Sequence, residues 1–310
     1  MILNSCAWNK TIHELELLFE QSFGRKIHPK YLEWRYSKHG KPIFFSVEYQ
    51  EEKIVASYSV FPIDIAVDND LFTSAISMTT MTHPNWRGQN LFPKLATEMY
   101  NHLKDKNFLA VWGFPNTNSH LTFKRKLSWL DIHEIPTLVL NLKNLNFRSF
   151  ISDSCVSTDH DFSLTYPPAP RDGFLRVNRT KEYLIWRYLE NPVNEYHNYV
   201  LAYDGKVSSY VITKQYQDGV DLVDIQCVDV NEAYILLTHI IKLSLTQKLN
   251  HLSCWASVHH NVHGVLERLG FQNSSPITYF GGLLLSQTKL NFDFYDYRNW
   301  YIQMGDSDVY

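Results

Sequence analysis

The sequence predicts an α/β chain built from two tandem units of one type, each a mixed, mostly antiparallel sheet flanked by helices. Three observations carry this reading. Residues 72–81 put Phe72, Ile76 and Met78 on one face at the period of two that a pleated strand requires, and Leu91, Leu95, Met99 and Leu103 follow at the spacing of four of a helix. The hexapeptide Tyr31-Leu32-Glu33-Trp34-Arg35-Tyr36 returns as Tyr183-Leu184-Ile185-Trp186-Arg187-Tyr188. Each copy then runs into the same order of strand, turn and long strand, which marks a duplicated unit.

The first unit opens with residues 11–36, helical because Ile12, Leu15, Leu18 and Phe19 form one stripe. Strands follow at 43–49, at 53–67 after a polar turn, and at 72–81 after Asp68-Asn69-Asp70. The helix from residue 91 carries Pro93 in its first turn, where a missing N–H costs nothing. A buried strand at 108–114, Pro115-Asn116-Thr117-Asn118-Ser119, a helix ending in Phe123-Lys124-Arg125-Lys126-Leu127-Ser128-Trp129 and a strand at 137–142 complete it. The second unit reads as strands 198–203 and 206–215 around Asp204-Gly205, a strong hairpin signal. A strand at 220–228, a helix at 232–249, a strand at 252–257, a helix through Leu266 to Phe271 and a strand at 278–285 follow. The expected division is 1–148, a connector at 149–172 marked by Ser-Asp-Ser and Pro-Pro-Ala-Pro, and 173–310. The repeated aromatic hexapeptide reads as core packing in each unit.

At 310 residues the chain is long enough for one large domain or two ordinary ones. A formal charge of -3 with no long basic run gives no reason to expect a nucleic-acid partner. Cys6, Cys155, Cys227 and Cys254 lack metal-ligand spacing, so no metal is expected, and they read as reduced thiols of a cytoplasmic protein. No signal peptide and no membrane span are expected from the apolar runs. Oligomeric state is not encoded in any feature of the sequence.

The stretch with the most chemistry is Thr82-His83-Pro84-Asn85-Trp86-Arg87-Gly88-Gln89-Asn90-Leu91-Phe92. A strand, a short Gly-containing turn with an Arg and a helix N-terminus make an anion site, because free main-chain N–H groups and the positive end of the helix dipole point at whatever docks there. Taken alone, Arg87-Gly88 reads as an ordinary turn opening a helix. With the second strand, the Asn-rich turn and the helix ending at Trp129, the order resembles the GCN5-related N-acetyltransferase (GNAT) family over residues 40–145. In that family Arg/Gln-x-x-Gly-x-Gly/Ala after the fourth strand holds the pyrophosphate of acetyl-coenzyme A. Arg87 matches the first position, Asn90 stands where the family has Gly, and Phe92 where it has Gly or Ala. Asn is the best non-Gly residue for a left-handed turn.

The resemblance implies acetyl-CoA as co-substrate and acyl transfer to a primary amine. It assigns cofactor binding to Arg87, Gly88, Gln89, Asn90, Leu91 and Phe92 for the phosphates, to the backbone of Thr80, Met81 and Thr82 for the pantetheine arm, and to Asn116 and Asn118 after the fifth strand. The family's thiolate-protonating Tyr is replaced by Lys124, and by Leu266 in the second copy. Ser119 and His120 are alternatives nearby, and His83 reads as a turn feature. The second copy has no Arg-Gly turn after its third strand, which implies a unit that has lost cofactor binding and either shapes the acceptor pocket or stabilises the first unit. The aromatic tail, with Asp306, Asp308 and Tyr310, is expected to dock. In tandem members such as the N-myristoyltransferases a terminal carboxylate acts as base, a role Tyr310 is expected to take with Asp306 or Asp308 orienting the acceptor. Tandem sequences of this style resemble those of bacterial surface-polysaccharide synthesis, which implies an amino group on a nucleotide-linked sugar as acceptor. A longer acyl donor, on coenzyme A or a carrier protein, and a non-catalytic binding module are the alternatives.

Overall fold

The computed structural model describes residues 2–3, 8–36, 43–143, 145 and 155–310. Cys6 and the expected boundary at 148–149 lie outside these residues.

The stretch expected as one helix over 11–36 is two, α1 (Trp8–Phe23) and α2 (Pro29–Tyr36). Gly24 takes a left-handed conformation (φ 69°) and its N–H donates to Glu20 O (2.8 Å), ending α1, while Pro29 opens α2. Strand β1 (Ile2–Leu3) pairs with β2 (Phe44–Gln50), and β3 (Lys53–Val67) and β4 (Asp70–Thr82) extend the antiparallel order. Then come α3 (Leu91–Asp105), β5 (Ala110–Gly113), α4 (His120–Lys126) and β6 (Leu130–Asn141). The second half holds β7 (Val156–Thr158), β8 (Arg176–Val177), α5 (Lys181–Leu184), β9 (His197–Tyr203), β10 (Lys206–Tyr216), β11 (Gly219–Gln226), α6 (Val230–Thr246), β12 (His251–Cys254), α7 (Asn261–Arg268) and β13 (Gln272–Leu284).

The thirteen strands of the described residues form one sheet, in the order β1-β2-β3-β4-β5-β13-β6-β12-β11-β10-β9-β7, with β8 paired to β3. Among the strand pairs of the described residues only β4/β5 and β11/β12 are parallel. The two halves exchange their last strands. β13, from the second half, lies between β5 and β6, and β6, from the first, lies between β13 and β12. The connector expected over 149–172 is likewise part of the second half from Val156 on. β7 pairs with β9, and the buried Asp159 carboxylate accepts from Ser163 N (3.0 Å), Leu164 N (3.2 Å) and Tyr166 Oη (2.7 Å).

Helix α3 covers one face of the first half through Leu95, Met99 and Leu103, and α6 and α7 cover the second half. A core shared by both halves lies on the opposite sheet face, where Leu15 and Leu18 of α1 meet Trp112, Trp186 and Trp300. The two hexapeptides meet inside it. Trp34 stacks on Trp186 at 5.1 Å and its indole N–H donates to Trp186 O (2.9 Å), while Phe61 stacks on the other side of Trp186 at 4.5 Å. The repeat thus recurs because its two copies pack on each other. Trp186→Ala is expected to cost about 3–5 kcal/mol by leaving a cavity between two aromatic rings, measurable by urea unfolding. Among the described residues no helix is long and apolar enough to cross a membrane.

Candidate active site

The parallel strands β4 and β5 pair only through Ala75↔Val111 and Ile76↔Trp112. Beyond that point they part, and a cleft of about 1330 Å3 opens between them. Its first wall is the end of β4. The β3/β4 register shifts between Ser57 and Ser59, so β4 carries a bulge between Met78 and Met81. Thr79 sits in the bulge at φ 39°, a conformation that a β-branched residue adopts only when its surroundings impose it. The bulge turns main-chain groups of Met78–Thr80 away from the ladder, and Ser77, Met78, Thr79 and Thr80 all line the cleft.

The second wall is the start of α3. Gly88 (φ 81°) and Asn90 (φ 62°, ψ 21°) take left-handed conformations in succession around Gln89. The Asn90 side chain makes no capping bond, so the N–H groups of the first helical turn stay open. Its Oδ1 instead accepts from Lys126 Nζ (2.9 Å), which sets a cation beside the helix N-terminus. Arg87 braces the same corner, donating to Thr82 O (3.3 Å) and Ser22 O (2.9 Å). Two left-handed residues, a helix N-terminus, Arg87 and Lys126 make a site for a polyphosphate.

In the second half both of these features are filled by the protein itself. Helix α6 begins at the Asp229 carboxylate, which accepts from Asn231 N (2.8 Å) and Glu232 N (2.9 Å) and would repel a phosphate. Strand β11 has the matching bulge, opposite Ile212 and Thr213. There Ile225 N–H donates to Gln303 Oε1 (2.5 Å) and Ile225 O accepts from Tyr301 Oη (2.9 Å). The tail after β13 therefore fills the place that is open in the first half.

Residues 7–130 match the family model described as acetyltransferase (GNAT) domain. Similar solved structures include a conserved protein of Enterococcus faecalis V583, a probable N-acyltransferase (12% identity, 92% of this chain, 72% of that chain, TM-score 0.71). A GCN5-related N-acetyltransferase from Anabaena variabilis ATCC 29413 is similar over 92% of this chain and 73% of its own (13% identity, TM-score 0.67). So is Saccharomyces cerevisiae N-myristoyltransferase with bound myristoyl-CoA (11% identity, 93% of this chain, 83% of that chain, TM-score 0.60). The fold is that of the GNAT acyltransferases. No curated protein sequence matches the chain.

Within this GNAT fold most of the expected cofactor residues border one cleft. Thr80, Thr82, Arg87, Gly88, Asn90, Leu91, Phe92, Asn116 and Asn118 all line it. Gln89 does not, and Met81 points the other way, its side chain 1% exposed in the shared core. Phe92, in the family's small-residue position, turns its ring onto Phe123 (5.0 Å) and Tyr58 (5.8 Å), so its bulk packs inward. Asn116 closes its own turn, its Oδ1 accepting from Asn118 N (3.0 Å) and Ser119 N (3.1 Å). His83 has the expected turn role, its Nδ1 accepting from Asn85 N (3.1 Å).

Two expected catalytic residues lie elsewhere. His120 sits on the α4 face turned from the cleft, stacked on Tyr279 at 3.8 Å with Nε2 2.7 Å from Asp131 Oδ1. Lys124, one turn on, holds the other Asp131 oxygen, and the two hydrogen bonds outweigh burial and lower the Asp131 carboxyl below its ordinary range. The cleft-facing positions of α4 are Thr122, Phe123 and Lys126. Asp306 is buried, with Oδ1 2.7 Å from Arg179 Nη2 and Oδ2 accepting from Gln303 N (2.8 Å), so it cannot orient an acceptor. Asp308 and Tyr310 do reach the cleft. The Tyr310 ring lies edge-on to Trp255 (5.2 Å), and burial pushes its phenol up to about 12.

Lys126, Lys214 and Asp221 are cleft residues with no counterpart among the expectations. Lys126 was hidden in a basic run that reads as solvated helix. Lys214 and Asp221 come from β10 and β11, far along the chain but facing each other across the ladder. Burial raises the Asp221 carboxyl above its ordinary range, against the hydrogen bond from Ser253.

Proposed function

We propose that the protein is an acyl-CoA-dependent N-acyltransferase that moves an acetyl group from acetyl-CoA to a primary amine. The observation that carries this is the open pair of parallel strands with a bulge on one and a left-handed Gly88–Asn90 turn beside it. The turn, Arg87 and Lys126 would take the pyrophosphate. The arm would then run along β4, where N–H groups freed by the Thr79 bulge can hold the thioester carbonyl and stabilise its oxyanion as the amine attacks. The amine must lose a proton. Tyr310, the expected base, also borders the cleft, one main-chain oxygen accepting from Arg187. We assign that step to Asp308, which borders the cleft with its carboxylate 3.8 Å from Arg35 Nη2. The acceptor side is completed by Asn194, Lys214 and Asp221 of the second half. An amino sugar on a nucleotide carrier, used in surface-polysaccharide synthesis, is the acceptor class we propose from the resemblance alone.

A longer acyl donor is the second reading. Phe19, Ile27, Tyr31 and Met78 line the cleft beside the bulge, an apolar surface that an acetyl group leaves uncovered. Calorimetric titration with acetyl-CoA, coenzyme A and a medium-chain acyl-CoA tests both. Micromolar binding of acetyl-CoA, with thiol release on adding an amino-sugar nucleotide, is the expected result. Tighter binding of the longer donor moves the assignment to it, and binding of none of the three removes the acyl-CoA reading.

A further inference from the structure

Two side chains outside the cleft hold the segment that forms one of its walls. Asp308, Val309 and Tyr310 border the cleft, whereas Arg35 and Arg187 lie behind them, around a separate void of about 20 Å3. The two arginines occupy the same place in the two hexapeptides, and both are buried. Arg187 spreads one guanidinium over three main-chain oxygens of the tail. Its Nε donates to Gly305 O (3.2 Å) and its Nη2 to Ser307 O (3.1 Å) and to Tyr310 O. Arg35 approaches from the other copy, with Nη2 3.8 Å from Asp308 Oδ2 and Nε donating to Met78 Sδ (3.2 Å). Met78 stands next to the Thr79 bulge, so Arg35 joins the β4 wall to the tail wall. Tyr31 Oη donates to Asp308 O (3.3 Å).

We infer that Arg35 and Arg187 are positioning residues that fix residues 308–310 as the acceptor-side wall of the cleft. Neither reaches the cleft, but together they set the gap between the bulge and Asp308 in which an amine must sit. Arg187 reaches three diverging acceptors, and a lysine has no fork to do so. Which wall faces the acceptor rests on the acyl-transfer reading.

The test is Arg187→Lys in the full chain, followed by acceptor kinetics, acyl-CoA titration and hydrogen exchange at the Val309 and Tyr310 amides. Acceptor KM is expected to rise about tenfold with acyl-CoA affinity unchanged, and exchange at both amides to accelerate. An unchanged KM despite faster exchange overturns the inference. If the unaltered protein turns over no amine, the acyl-transfer reading fails. Exchange then decides the clasp by itself, and unaltered protection in Arg187→Lys overturns it.

Discussion

Arg87→Glu is expected to weaken acyl-CoA binding at least about a hundredfold in calorimetric titration. The substitution removes a cation beside the α3 N-terminus and puts a carboxylate where the pyrophosphate would sit. A phosphate there depends on open N–H groups and on Arg87 and Lys126, and a charge of the wrong sign works against all of them. Arg87 also bonds the carbonyls of Ser22 and Thr82, so a small loss of thermal stability accompanies the change. Because the residue is exposed, that loss is expected to stay within about 1 kcal/mol. Unaltered affinity would falsify the placement of the phosphates on this turn.

Arg179→Met is expected to destabilise the fold by about 3–5 kcal/mol, read as a lowered midpoint in urea. Arg179 is the cation between two buried carboxylates, with Nε 2.5 Å from Asp224 Oδ2 and Nη2 2.7 Å from Asp306 Oδ1. Around it Tyr188 Oη donates to Asp224 Oδ2 (2.7 Å) and Gln303 Nε2 to Asp224 Oδ1 (3.0 Å). Methionine fills the space but leaves both acids without a counter-ion. Net stabilities of domains run to roughly 5–15 kcal/mol, so the variant loses a large share of its margin. A midpoint that does not move would overturn the reading of Arg179 as the counter-ion of both carboxylates.

The first half was legible where pattern is local. Period two at Phe72, Ile76 and Met78, then spacing four from Leu91 to Leu103, placed the strand, turn and helix that border the cleft. The duplicated hexapeptide marked two segments whose tryptophans stack on each other. What escaped was non-local or depended on which side of a short element a residue faces. His120 and Lys126 are both on α4, but seven residues carry too little hydrophobic signal to say which face looks into the cleft. Asp306 and Asp308 are two residues apart in a tail with no period, and only the surrounding core sends one to Arg179 and the other to the cleft. The division at 149–172 followed composition, which is blind to the pairing of β7 with β9. Nothing in β6 or β13 says that each completes the other half, because a strand's sequence encodes its faces and not its neighbours.

That exchange has a consequence for how the chain is made. When β6 is complete at Asn141, both of its neighbours are still to be synthesised, since β12 begins at His251 and β13 at Gln272. The emerging first half waits with β5 and β6 as bare edges, which other chains can pair with. Pairings that far apart in sequence are slow to form, so closure of the sheet is a late step of folding. The same interlock makes the protein a natural split pair. Fragments cut between the halves each lack a central strand that the other carries, so neither is expected to hold its fold by itself, while co-expression lets the two rebuild one sheet.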